Sequence, residues 1–262
     1  LMDVKVFNIN AFSCSKFLGN PACVVPLEKW LTTEKMLKIA NKNNVAETAF
    51  FVKKENHFDL RWFTPDIEMD LCGHATLAAA HCIVKHFNYT DGVINFKTLS
   101  GDLYVSVVDE VYHLDLPKRM PSKAVLPDCI YQSLSIKPKT VLKSRDYVLI
   151  YETQEQIKQL IINRKVFDEV NLDPGGVVVT AKGKECDFIS RFFTPQATFL
   201  EDAVTGSSHC SLIPYWSKVL KKDNMIAQQV SLRGGELICI NKLGRITVGG
   251  KAKTISNFQI AI

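Results

Sequence analysis

Apolar and polar positions follow two alternating rhythms along this chain. Val4 to Phe12 places apolar residues at every second position, which predicts a strand. After a Gly19-Asn20-Pro21 turn, the apolar run Ala22 to Leu27 predicts another. Thr32 or Thr33 can cap a helix that carries Met36, Leu37, Ile39 and Ala40 on one face, and Asn41 to Asn44 stops it. Thr48 to Val52 and Phe58 to Phe63 read as strands, and Thr64-Pro65 as a turn. Gly73 to Val84 then reads as a helix with hardly a charge, so it should be buried on nearly every side. Val93 to Lys97 and Leu103 to Leu116 add strands.

The second half repeats this order. Tyr147 to Tyr151 predicts a strand, Gln154 to Ile162 a helix, and Val177 to Thr180 and Phe188 to Phe193 strands. A helix from Gly206 to Leu220 follows, and then strands at Gln229 to Leu232, Leu237 to Asn241 and Arg245 to Gly249. Pro117 to Pro127, with three prolines and little periodicity, predicts a linker. Ile255 to Ile262 alternates like a strand that could cross back to the first half.

Sequence motifs recur with the rhythm. Arg61-Trp62-Phe63-Thr64-Pro65 returns as Arg191-Phe192-Phe193-Thr194-Pro195. Cys72-Gly73-His74-Ala75-Thr76 is answered by Thr205-Gly206-Ser207-Ser208-His209, and Ser100-Gly101-Asp102-Leu103 by Gly234-Gly235-Glu236-Leu237. The offsets are 191 − 61 = 130, 206 − 73 = 133 and 235 − 101 = 134, so the blocks keep their order and spacing. A duplicated α+β unit is expected: two similar lobes, residues 1–118 and 119–254, with the tail 255–262 crossing back to the first. Each lobe would be a mostly β layer wrapped about one buried helix. A helix N-terminus in each copy suggests two ends pointing into one cleft, a geometry suited to a small anionic ligand.

Composition narrows the function classes. A length of 262 residues is ample for a core, and 47% hydrophobic with 23% charged residues is ordinary for a globular protein. The net charge of +5 comes from scattered lysines without a block of like charges, so no nucleic-acid partner is expected. No apolar run approaches the roughly eighteen residues of a membrane span. The eight cysteines are irregularly spaced with no C-x-x-C pair and no signal peptide ahead of them, which fits a reduced, cytoplasmic setting. Their only close groupings with histidine are Cys72 with His74, His81 with Cys82 and His209 with Cys210. None has local ligand spacing, so no metal is expected.

The candidate chemistry gathers at the glycine-led turns. Backbone N–H groups at Gly73, His74 and Ala75, and at Gly206, Ser207 and Ser208, lack helical partners and could close on a carboxylate. Each glycine could equally serve only to start its helix tightly against the sheet. Glu47, directly before the apolar strand Thr48 to Val52, is either a solvent-facing strand end or a carboxylate held in a low-dielectric cleft. In a cleft it could take a proton from carbon and return it elsewhere. Asp202 could orient His74 or a substrate hydroxyl or amine, or could merely favour a helix N-terminus. Ser207 could donate to a carboxylate. Cys72 at a helix start could be an activated thiol, but Thr205 stands at its counterpart and cannot deprotonate a carbon, which disfavours two-thiol epimerisation.

These residues resemble the phenazine biosynthesis PhzF-like family, within the diaminopimelate epimerase-like fold. The resemblance rests on Asp3 to Val25 around Gly19-Asn20-Pro21, Glu47-Thr48-Ala49-Phe50, Arg61 to Pro65, Asp70 to His81, Glu201 to Cys210, Arg233 to Leu237 and Gly249 to Ala252. It implies two lobes, each a curved or barrel-like mixed sheet around a central buried helix, commonly a homodimer, with the site between lobes and no cofactor. It further implies an isomerase in which a glutamate shuttles a proton between carbons of a small cyclic carboxylate, helped by a histidine, an aspartate and a serine. Those roles fall on Glu47, His74, Asp202 and Ser207. The family usually has proline where Ala203 stands, which here loosens the loop by about 0.5 to 1 kcal/mol. A catalytically silent metabolite-binding or scaffold protein of the same fold, and a thiol-dependent epimerase using Cys72, are the alternative readings.

Overall fold

The computed structural model describes residues 3–173 and 175–261, so Ile262 of the predicted tail strand lies outside the described residues. The chain divides into two compact units, Leu1–Leu116 with Val248–Ile262, and Pro117–Thr247. The first unit holds β1 (Asp3–Ala11), β2 (Asn20–Leu27), α1 (Thr33–Asn43), β3 (Glu47–Lys53), β4 (Phe58–Phe63), β5 (Glu68–Met69), α2 (Gly73–His86), β6 (Val93–Thr98), β7 (Gly101–Val108) and β8 (Val111–Pro117). The second holds β9 (Ser122–Lys123), α3 (Asp128–Ser133), β10 (Thr140–Lys143), β11 (Tyr147–Ile150), α4 (Gln154–Gln159), α5 (Arg164–Phe167), β12 (Val177–Lys182), β13 (Phe188–Phe193), β14 (Glu201–Asp202), α6 (His209–Leu220), β15 (Asn224–Gln229) and β16 (Gly235–Asn241). β17 (Arg245–Gly250) spans the boundary in sequence, and β18 (Ala252–Ala261) belongs to the first unit.

The two units share one pairing scheme. In the first, β2 and β3 are parallel, β3 and β4 antiparallel, β4 and β6 parallel, and β6 and β7 antiparallel, with short β5 against β4. In the second, β11 and β12 are parallel, β12 and β13 antiparallel, β13 and β15 parallel, and β15 and β16 antiparallel, with short β14 against β13. The tail forms the strand its alternation suggested and crosses back to the first unit: β18 pairs antiparallel with β1, from Asp3 opposite Ala261 to Ala11 opposite Ala252. The fold is α+β, each unit a mixed sheet with a buried helix.

Local chemistry explains the boundaries. Thr32 caps α1 by accepting from the Lys35 amide at 3.3 Å, and Asn44 ends the helix in the left-handed region, a conformation asparagine tolerates. The run Leu103 to Leu116 breaks into two strands because Asp109 and Glu110 both take positive φ, 49° and 63°, the geometry of a two-residue hairpin turn. Along α2 every residue from Gly73 to Ile83 is buried, and the helix packs on β1, β2, β3 and β18. Each large side chain buried there, such as Leu77 or Ile83, stabilises the unit by roughly 1.5–3 kcal/mol.

Three expectations shift. The strand placed at Gln229 to Leu232 lies instead at Asn224–Gln229, where Met225, Ala227 and Gln229 alternate inward and Leu232 is fully exposed. Polar Gln228 and Gln229 conceal that alternation. The helix placed from Gly206 begins at His209, after a tight turn in which the His209, Cys210 and Ser211 amides bond the carbonyls three residues back. The predicted linker contains the end of β8 and the two residues of β9. Within α6, Pro214 has no N–H to offer the Cys210 carbonyl, and that carbonyl accepts from the Arg119 amide at 2.9 Å instead.

The recurring arginines fold the same way in both units. Arg61 on β4 grips Glu68 with two bonds of 2.6 Å, and Arg191 on β13 grips Glu201 with bonds of 2.7 and 2.8 Å. Each guanidinium also lies over a phenylalanine of its own strand, Phe63 at 5.2 Å and Phe193 at 4.9 Å. The repeated motif is therefore a clamp that fixes β5 and β14, and the second clamp ends beside Asp202.

Candidate active site

In the first unit, β3 and α2 bring three chemically active side chains together. Glu47 opens β3, opposite Ala22 of β2. Cys72 is the extended N-cap residue of α2 and His74 lies in its first turn. One donor atom from each of the three lies within 4.8 Å of the other two. His74 Nε2 is 3.1 Å from Glu47 Oε2, and His74 Nδ1 is 3.5 Å from Cys72 Sγ. The contact to Glu47 has the distance of an ion pair without the angles of a hydrogen bond. Both atoms are therefore buried with no hydrogen-bond partner among the described residues. The Glu47 side chain keeps 16% of its surface exposed, whereas that of His74 keeps 4%.

Burial disfavours a charged ring at His74, but the Glu47 carboxylate 3.1 Å away outweighs that, and the ring's pKa stands above the ordinary histidine value. For Cys72, burial and then the Glu47 charge push the thiol up, so it is not an activated thiolate. The α2 N-terminus completes this arrangement. Its first helical bond runs from the Thr76 amide to the Cys72 carbonyl, which leaves the amides of Gly73, His74 and Ala75 without helical acceptors. The Ala75 amide faces the Cys72 sulfur.

In the second unit, the turn before α6 is held by its own residues. Thr205 donates its hydroxyl to Asp202 Oδ2 at 2.5 Å and its amide to Gln229 Oε1 at 2.8 Å, while Gln229 Nε2 donates to the Asp202 carbonyl at 2.9 Å. Ser208 is buried and donates its hydroxyl to the Thr205 carbonyl at 2.9 Å, so that hydroxyl is engaged within the turn. The amides of Gly206, Ser207 and Ser208 precede the first backbone bond of the turn. Ser231 donates to the Ala203 carbonyl at 2.7 Å and fastens the position where the resemblance expects proline. Thr76 and His209 are counterparts, each donating from its side chain to the carbonyl four residues back.

The structure thus brings Glu47, His74, Gly73 and Ala75 together in one unit, and Asp202, Ser207, Gly206 and Ser208 in the other. Sequence reading did not single out Gln229 or His209. Gln229 is a buried amide that orders the Asp202 turn, and nothing in the sequence distinguishes it from a polar strand end. His209 is buried with Nε2 lacking a hydrogen-bond partner among the described residues, and burial pushes its pKa down to about 4.

These two histidines act oppositely on stability. His74, raised in the folded state, contributes stability that is full below the unfolded value of about 6.5 and is lost as pH rises through the folded value. His209, lowered, contributes stability present above about 6.5 and lost as pH falls toward 4. In urea denaturation at pH 7 and pH 5, His209→Gln should lose less stability on acidification than the parent protein, and His74→Gln should lose more. Equal losses in all three would show that neither ring is perturbed by folding.

Comparison with known proteins identifies the family of the chain. The family described as phenazine biosynthesis-like protein (PhzC-PhzF) matches residues 9–257. An uncharacterized isomerase of Pseudomonas aeruginosa is 41% identical over 263 residues, covering 100% of both chains. A phenazine biosynthesis-like domain-containing protein of Homo sapiens is 34% identical over 286 residues, covering 97% of this chain and 98% of its own. The crystal structure of a PhzF-family phenazine biosynthesis protein from Enterococcus faecalis superposes with a TM-score of 0.94 at 38% identity over 100% of both chains. A hydroxyproline epimerase from Agrobacterium vitis, at 8% identity and a TM-score of 0.65 over 99% of this chain and 93% of its own, shares the fold. The chain belongs to the phenazine biosynthesis-like (PhzC-PhzF) protein family.

Proposed function

We propose that the protein is a cofactor-independent isomerase that moves a proton within a small unsaturated or cyclic carboxylate. The isomerase class agrees with the names of its bacterial relatives, and the substrate class and residue roles are our reading. The observation that carries it is the pair Glu47 Oε2 and His74 Nε2, buried 3.1 Å apart and not bonded to each other. Two such atoms can both bond a third group that sits beside them. The carboxylate takes a proton from carbon and the electron pair spreads into the unsaturated acid. Charged His74 steadies the resulting oxyanion, and the Glu47 carboxyl, having exchanged its proton with solvent through its partly exposed side chain, delivers one to a second carbon. Atoms and electrons balance without an oxidant. The amides of Gly73, Ala75, Gly206 and Ser208 are assigned to the substrate carboxylate, and Asp202 and Ser207 to its other polar groups.

The duplication supports a single base. Thr48 lies opposite Phe63 on β4, and Val177 opposite Phe193 on β13, so Gly176 occupies the place of Glu47 in the second unit. A side chain there would meet Phe192 at 2.5 Å. Cys72, with its thiol pKa raised by burial, is a poor nucleophile.

Incubation with a panel of small cyclic and unsaturated carboxylates in deuterated water tests the reading by mass spectrometry and NMR. One panel member should gain a single deuteron, and Cys72→Ser should retain most of that exchange. A ligand that raises the melting temperature yet never exchanges would identify a silent binder. Loss of exchange in Cys72→Ser alone would move the chemistry to sulfur. We also expect a homodimer, which sedimentation would show.

A further inference from the structure

We propose that Glu47, Cys72 and His74 form an inhibitory site for a thiophilic divalent cation such as zinc. Three donor types favoured by that ion, carboxylate oxygen, imidazole nitrogen and sulfur, lie within 4.8 Å of one another. Metal–ligand bonds of roughly 2.0–2.3 Å put neighbouring ligand atoms of a tetrahedral site roughly 3.2–3.7 Å apart. The 3.1 Å between Glu47 Oε2 and His74 Nε2 is close to that spacing.

The angular misfit of that pair is the second, independent observation. Atoms at such a distance that do not bond each other are arranged as two ligands of a common centre are, both buried and both without a hydrogen-bond partner among the described residues. Cys72 Sγ stands 3.5 Å from the other ring nitrogen, so a rotation about its side chain is needed to complete the set. Loading expels the Cys72 thiol proton and the His74 ring proton to solvent, and the remaining carboxylate and thiolate match the charge of a dication, leaving the loaded site neutral. The Glu47 side chain keeps 16% of its surface exposed, so the cluster is not wholly sealed from solvent. Hard cations gain nothing from sulfur, so magnesium and calcium should not compete.

The site coincides with the proposed base, so loading would stop proton transfer, but binding itself can be read without any substrate. Cobalt(II) is titrated into the full-length protein under reducing conditions, and the near-ultraviolet band of thiolate-to-cobalt charge transfer is followed. One equivalent should bind with that band, zinc should displace it, and magnesium should not. Cys72→Ser should abolish the band, and Glu47→Gln, which preserves shape, should weaken binding at least about tenfold. Cys210→Ser, a buried thiol on α6, should leave the band unchanged. No band, or a band that survives Cys72→Ser or is unmoved by Glu47→Gln, overturns the metal site. Solvent exchange measured with chelator present would still decide the isomerase reading separately. Where both hold, zinc suppresses exchange and chelator restores it.

Discussion

Glu47→Gln should lower solvent-deuterium exchange by about 10³ to 10⁴ while leaving the fold intact, because general acid–base catalysis is worth about 10² to 10⁴ and no second acid takes over. The substitution keeps the side chain's shape and removes its negative charge and its ability to take a proton. At the equivalent place in the second unit stands Gly176, so the duplicate offers no substitute. The same change removes the carboxylate that raises His74, so the His74 ring should titrate at a lower pH by NMR. Those two readouts separate the possible failures. Exchange at the parent rate with a shifted His74 would mean that Glu47 is only an electrostatic neighbour, whereas lost exchange with an unmoved His74 would point to a disturbed substrate pose.

Arg191→Ala should destabilise the protein by about 3–5 kcal/mol, more than any exposed charge substitution, since it strands a partly buried carboxylate. Its guanidinium makes four bonds: two to Glu201, and two to the carbonyls of Ile157 and Leu160 at 3.1 and 2.8 Å at the end of α4. Arg61 makes the matching pair to Glu68 but has only the Thr33 hydroxyl, at 3.0 Å, in place of the carbonyls. Arg61→Ala should therefore cost roughly 1–2 kcal/mol less, by the price of two unpaired carbonyls. Urea denaturation of both variants decides this. Equal losses would mean that the α4 carbonyls find water at no cost. Because Glu201 adjoins Asp202, which we propose holds a polar group of the substrate, the variant should also lose substrate affinity under conditions where it is still folded.

Much of this was legible in the sequence because duplication doubles each signal. Phe58–Phe63 and Phe188–Phe193 stand where their apolar alternation put them, and α2 is buried on all sides as its near lack of charge implied. β18 returns to β1, a crossing that the tail's alternation allowed but did not fix. Misplacements came where polar residues are buried. Gln229 faces inward because it serves Thr205 and Asp202, a tertiary role that no local pattern reports. The start of α6 was set three residues early because Gly206 to Ser208 form a tighter turn, in which Ser208 bonds the Thr205 carbonyl. Nor could spacing reveal the meeting of Glu47 with Cys72 and His74, since it depends on parallel β2 and β3 delivering position 47 to the start of a helix more than twenty residues away.

Pro214 illustrates how a deficit in one element becomes a tether for another. A helix with every amide intact satisfies its own interior carbonyls and offers the neighbouring chain only side chains to hold. By withholding one donor, α6 exposes the Cys210 oxygen to the Arg119 amide, in the stretch between β8 and β9 where the chain enters the second unit. That irregular stretch is thereby tied to the opening of the helix itself. At Arg119 the backbone of that stretch is anchored by the helix and not by a ladder of its own.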